Sequence, residues 1–305
     1  ATGDARTPMR IMMMAAIVNG LLDPLLIFGW GPVPAMGLAG AAWATLGSRV
    51  LTLIAAFWVL GPRLKMLDLH LPTPGELWAS WRAILSVGLP AALTNVLGPI
   101  ALGVLTALTA GYGKAAVAAL GVGSRLEGLV LIAPMALGAA LTPFVGQNWG
   151  ALRKDRVAEA MLLSRRFVLA WGLGAWAVLV LFGDWVSWAF SDDPAVHTVL
   201  HLYFWIVPAG YGAQSLVGVV GATFNAIDQA LRSTVLSALR ALLLAIPMAV
   251  IGGLVAGLAG LFAGIAGSGL ITAVIANGWA EALYAGRRED GKDDENDESA
   301  PGAVS

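Results

Sequence analysis

Asn19 and Asp23 stand four residues apart in the apolar run MMMAAIVNGLLDPLLIF, with Pro24 directly after the acid. On a helix that spacing puts an amide and a carboxylate on one face. The proline has no N–H to give, so backbone carbonyls on the preceding turn are freed to join them. Such a group can hold a proton or a small cation. A charged side chain at the centre of a membrane helix costs about 2.5 to 3.5 kcal/mol, which makes each one a functional candidate. The plainer alternative is that Asp23 lies near the end of its span, reaches water, and only helps the turn.

Arg125 and Glu127 form a second group inside an apolar run. Two residues apart, they point to nearly opposite sides of a helix and cannot pair, so each needs its own partner or a water-filled cavity. They suit substrate recognition or a brace to a neighbouring helix, and the sequence leaves both open. Asn95 and Gln214 are polar residues in other apolar runs. Arg49 is close enough to a span end to extend its head into water and is read as structural. In GQNWGALRKDR, glycines 146 and 150 permit a tight turn while Gln147 and Asn148 cap exposed carbonyls, a gate contact being the alternative. Met9, Met12, Met13 and Met14 make an adaptable apolar surface, for ligands or for lipid.

The elements that position these residues follow from composition. Of 305 residues, 58% are hydrophobic and only 12% charged, whereas soluble domains carry about a quarter charged. The mean hydropathy is +0.78. The expected fold class is all-α, a polytopic transmembrane helix bundle. Apolar runs long enough to cross about 30 Å of hydrocarbon fall near residues 9–30, 36–60, 83–109, 115–143, 167–190, 198–223, 233–255 and 258–284, which gives eight spans. Prolines 90, 99, 134, 143, 208 and 247 are expected to kink them. The tail from residue 286 has too little apolar content to bury and is expected to be disordered.

Lysine and arginine are concentrated in alternate connections, and the cations assigned to the cytoplasmic side include Arg63, Arg82, Arg153, Arg166, Arg232 and Arg240. Both chain ends are therefore expected in the cytoplasm. There is no cysteine, so disulfides and thiolate metal sites are excluded. No Walker A, HExxH or GxSxG sequence is present, and His197 and His201 have no intramembrane acid beside them to complete a metal site. The reading is of a protein that is not an enzyme, uses no cofactor, and draws energy from an ion gradient or another protein.

Residues 37–56, GLAGAAWATLGSRVLTLIAA, recur 220 positions later as GLAGLFAGIAGSGLITAVIA at 257–276. The chain contains an internal repeat, and repeat-built transporters carry their sites at repeat interfaces. Residues 81–220 have no earlier partner at that offset, so the chain reads as the carboxy-terminal part of a longer protein. The expected organisation is 1–62 as the last two helices of an amino-terminal lobe, 63–82 as a cytoplasmic linker, 83–285 as a six-helix lobe, and 286–305 as a tail.

The segments NGLLDPLLIFG, GLAGAAWAT, GLP at 88–90 and ALGVGSRLEGLVLIAPMALGAALTPFVGQNWGALRKDR together resemble the MATE family, the multidrug and toxic compound extrusion antiporters. The resemblance implies twelve helices in two pseudo-symmetric lobes around a central cavity, of which this chain matches the fifth to twelfth. It implies export of organic, cationic amphiphilic compounds in exchange for H⁺ or Na⁺ by a multi-pass protein of the inner cell membrane, working as a monomer in the lipid bilayer without nucleic acid. One branch of the family binds its cation in the amino-terminal lobe with an Asn and an Asp four apart and a Thr on the next helix. Asn19 and Asp23 match that pair, and Thr45 is the match to the Thr. The other branch uses acids on two later helices, where this chain has only Asn95 and Gln214. A lipid-linked oligosaccharide flippase of the same superfamily is the alternative, and it would need more cavity cations than Arg49 and Arg125.

Overall fold

The computed structural model describes residues 6–30, 33–66 and 73–285, and among these it is almost entirely helical. The helices are α1 (Arg6–Phe28), α2 (Leu38–Trp58), α3 (Pro74–Ala110), α4 (Lys114–Val130), α5 (Ile132–Gly150), α6 (Lys154–Phe190), α7 (Pro194–Ile206), α8 (Tyr211–Ala226), α9 (Ala230–Ala238) and α10 (Ala245–Ala285). Single π turns follow α2 (Val59–Arg63) and α9 (Leu239–Leu244), and a 3₁₀ turn, Val207–Gly210, joins α7 to α8. The chain divides into two compact units between Ser80 and Trp81, within α3. The expected tail lies outside the described residues.

Among the described residues six helical stretches are long and apolar enough to cross a bilayer. The last, Ala230–Leu283, is 54 residues long and contains a break at Ala256 and Gly257, so it makes two passes. In α3 the apolar part is the shorter Asn95–Ala110. Its start is nine residues ahead of the expected span, at a capping box in which the Thr73 N–H and hydroxyl donate to Glu76 Oε2 at 2.8 and 2.9 Å, with Pro74 in the first helical position.

In the first unit α1 and α2 form an antiparallel hairpin. Met36 and Gly37 donate to the Leu26 and Ile27 carbonyls at 3.0 and 3.1 Å. Gly40, Ala44 and Ser48, one turn apart, are the buried residues of α2, a stripe of small side chains that lets two backbones approach in lipid. At Gly40 a Cβ would sit 2.3 Å from the Leu26 carbonyl oxygen.

The second unit ends in a hairpin built the same way. Gly37, which opens α2, has φ 54° and ψ −130°; Gly257, at the break in α10, has φ 60° and ψ −143°. Ser48 donates to the carbonyl of Thr45 and Thr52 to that of Ser48, at 2.9 and 2.7 Å. Ser268 and Thr272, 220 residues on, bond to the carbonyls of Ile265 and Ser268, both at 2.7 Å. The repeat is thus one of backbone conformation and internal bonding as well as of sequence. The two arms of the later hairpin touch through glycine: a Cβ on Gly260 would lie 2.0 Å from the Gly252 carbonyl oxygen, and one on Gly264 2.3 Å from that of Met248.

Around this hairpin α7 and α8 form the most enclosed pass. Tyr203, Phe204, Tyr211 and Phe224 are at most 1% exposed. They belong to two apolar cores, one shared by α5, α6, α8, α9 and α10, the other by α3, α4, α6, α7, α8 and α10. Gly123 faces the Tyr203 ring and Gly172 faces Gly212, each too closely to admit a side chain. Gly146 also packs, 3.3 Å from the Ala226 carbonyl oxygen measured from a Cβ on the glycine, so it serves helix contact and not the expected turn. The left-handed residue of that turn is Leu152, and Asn148 Nδ2 caps the Phe144 carbonyl at 2.8 Å.

Proline breaks are compensated by tryptophan. Pro134 cannot donate to the Val130 carbonyl, which accepts instead from the Trp171 indole at 2.9 Å; by the 3₁₀ turn holding Pro208, the Trp205 carbonyl accepts from the Trp176 indole at 3.0 Å. Two measurements test this architecture. Gly264→Val should lower the melting temperature in detergent by the equivalent of about 1 to 3 kcal/mol or more. The Glu76 carboxyl is held below its ordinary value of 4.5, first by the Thr73 N–H and then by its hydroxyl, so its contribution is complete above that pH and is lost as pH falls through the lower folded value. The protection of the Thr73 amide against exchange, taken relative to its intrinsic rate at each pH, should fall over that acid range and be lost at every pH in Glu76→Ala.

Candidate functional site

The first unit places Asn19 and Asp23 on one face of α1, both half-buried. Asn19 Nδ2 and Asp23 Oδ1 are enclosed and have no hydrogen-bond partner among the described residues. α1 runs on through Pro24 to Phe28, so the proline removes the bond to the Gly20 carbonyl without ending the helix. Thr45 is exposed and its hydroxyl donates to the Ala41 carbonyl at 2.9 Å. The structure therefore brings the amide and the carboxylate together and does not bond Thr45 to them. An unpaired buried polar group costs about 1 to 3 kcal/mol. Of the two, the Asp23 carboxylate oxygen is the acceptor that can take a proton or hold a cation, while Asn19 Nδ2 is a donor and its amide serves a cation only through Oδ1.

The second unit holds a cavity of about 530 Å³ with a mixed, mainly apolar lining, walled by α5, α8, α9 and the π turn after it and lined also by Asn95 of α3. Gln214 of α8 lines it and donates through Nε2 to Glu127 Oε1 of α4 at 2.5 Å. Glu127 thus finds the partner that the sequence required, on another helix. It is also within electrostatic reach of Tyr203, Tyr211 and Arg240, and the two tyrosine hydroxyls are 3.4 Å apart in the core. Arg125 is exposed. The structure separates it from the Glu127 group, as their opposed directions on α4 require.

Arg240, counted from the sequence among the cytoplasmic-side cations, lies in the π turn Leu239–Leu244 of the helical stretch Ala230–Leu283 and lines the cavity. That count left unread the sign it shares with Asp23, a charge inside an apolar run. Ser233 and Ser237, also on the cavity wall, carried no such sign. The π turn falls 220 residues after Asn19–Pro24, so the later repeat has Leu239 and Leu243 where the earlier has the amide and the acid. Near the other end of the second unit His197 Nε2 meets the Ser191 carbonyl at 2.6 Å, and no group of three metal-ligating side chains occurs among the described residues.

Long apolar helices, broken passes and unpaired polar groups inside them define a polytopic helical membrane protein of the transporter class. Comparison with known proteins gives the family. The MatE family model matches residues 90–251. A FAD transporter of Shewanella oneidensis is 38% identical over 257 residues, 84% of this chain and 57% of that protein. A probable multidrug resistance protein of Bacillus subtilis, YpnP, is 27% identical over 64% of this chain and 42% of its own length. The crystal structure of a mutant of the Vibrio cholerae MATE transporter VcmN superposes with a TM-score of 0.79 at 28% identity, covering 93% of this chain and 64% of that one. The chain belongs to the MatE family of efflux transporters, and it spans little more than half the length of the Shewanella relative.

The Glu127 and Gln214 bond carries its own test. Gln214→Leu leaves a half-buried carboxylate without its donor and should destabilise the protein by about 1 to 3 kcal/mol, read as a lower melting temperature in detergent. Asn95→Leu, in the lining of the same cavity, should have the smaller effect.

Proposed function

We propose that this chain forms part of a cation-coupled antiporter that exports small organic compounds across the inner cell membrane. The observation that carries the reading is the enclosed Asp23 Oδ1, unpartnered among the described residues, with the Asn19 amide one turn away on the same face. A proton or Na⁺ entering from outside neutralises the Asp23 carboxylate, with Asn19 and the Gly20 carbonyl beside it. Each positive charge moved inward gains about 2.3 kcal/mol per 100 mV, energy available for expelling solute. Thr45 joins this site only by turning its hydroxyl away from Ala41. The distribution of lysine and arginine supports cytoplasmic chain ends.

Two substrate classes have support. The multidrug relatives favour cationic amphiphiles, the expectation drawn from the family. The Shewanella relative, at 38% identity, favours a flavin dinucleotide, and the arginine in the cavity of the second unit agrees with an anionic group better than with a cation. For a lipid-linked oligosaccharide flippase, a single lining arginine in that cavity is too little positive charge.

Efflux driven by an imposed H⁺ or Na⁺ gradient tests the coupling, measured in membrane vesicles carrying the protein. Asp23→Asn should abolish gradient-driven efflux, Asn19→Ala should weaken it, and Asp184→Asn near the end of α6 should leave it unchanged. Gradient-driven efflux at the original rate in Asp23→Asn would remove the carboxylate from the mechanism.

A further inference from the structure

Ser233, Ser237 and Arg240 follow one another at intervals of four and three residues, a single helical face, and all three line the cavity of the second unit. Serine and threonine in membrane helices commonly return their hydroxyls to the carbonyl one turn back, as Thr142, Ser215, Thr223 and Thr234 do on the surrounding helices. Ser233 and Ser237 do not: their hydroxyls make no hydrogen bond to any described residue. The π turn Leu239–Leu244 holds Arg240 at this wall, and such turns concentrate at functional sites. Placing an arginine inside an apolar pass is costly and calls for a compensating partner. Glu127 feels its charge but gives Oε1 to Gln214, and among the described residues Arg240 makes no ion pair. Asn225 adds an amide, and Leu131, Met135 and Val217 supply apolar wall.

We propose that Ser233, Ser237 and Arg240 form a phosphate-recognition site, and that the solute taken into this cavity is a phosphorylated aromatic compound. The proposal rests on the second substrate reading above and assigns it to atoms. A guanidinium offers paired N–H donors to two phosphate oxygens, and each serine hydroxyl donates one more. The apolar wall takes the flat face of a ring. A cationic amphiphile would leave both hydroxyls idle and meet a like charge.

Fluorescence titration of the purified protein with riboflavin and flavin mononucleotide isolates the phosphate, because the two probes share one ring system. The mononucleotide should bind about tenfold or more tightly than riboflavin, and inorganic pyrophosphate should compete with it. Arg240→Gln should bring the ratio close to one, and Arg240→Lys should keep part of it. If Arg240→Gln does not fold, Ser237→Ala should lower the ratio by a few fold. A ratio near one in the unaltered protein, or one unchanged in Arg240→Gln or in Ser237→Ala, overturns the site. That result leaves the antiport reading standing as long as efflux still requires Asp23. Efflux that ignores Asp23 while the binding ratio holds does the reverse.

Discussion

In hydrocarbon there is no water to satisfy a polar group, and each one left alone costs several kcal/mol. The fold meets this constraint locally. Its passes are helices, and at Pro134 and by the 3₁₀ turn holding Pro208 a tryptophan indole from α6 takes a carbonyl left free. Thr109, buried in α3, and Ser164, buried in α6, return their hydroxyls to carbonyls of the preceding turn. Among the described residues Asn19, Asp23 and Gln229 each keep one enclosed atom unpartnered, and Ser233 and Ser237 face the cavity. Except for Gln229, which opens α9, these residues make up the two sites to which the chemistry is assigned.

The repeat shows how the sites diverged. The two hairpins share a glycine of nearly the same φ and ψ and the same serine and threonine bonds at an interval of 220 residues. What was retained is the scaffold: the small residues where backbones meet and the glycine that opens the second arm. What changed is the first arm, which carries an amide and a carboxylate beside proline in one copy and leucines around an arginine in a π turn in the other. A duplicated frame has one copy fitted with acid and the other with base.

Much of the fold was legible because it rests on composition and on residue identity. Long apolar runs gave the passes, and the repeat gave the glycines and serines that recur in both hairpins. Asn19 and Asp23 were legible because a carboxylate in an apolar run has few innocent explanations. The partner of Glu127 was not, since pairing with Gln214 depends on how α4 and α8 are packed, 87 residues apart. Arg240 went unread as a cavity residue because it was counted only for orientation, and its place on the cavity wall depends on packing. Gly146 looked like a turn residue because tight turns and close helix contacts ask for the same missing side chain, and sequence alone does not separate the two.

The contacts between the arms of the later hairpin bear on how this part of the molecule can move. With the Gly252 and Gly260 backbones against each other, and Gly264 against Met248, neither arm can slide along the other without collision. Contact this close resists shear between the two arms and favours their holding together as a unit. Its compliance is left to the loosened turn just before α10, which is also where the guanidinium is mounted.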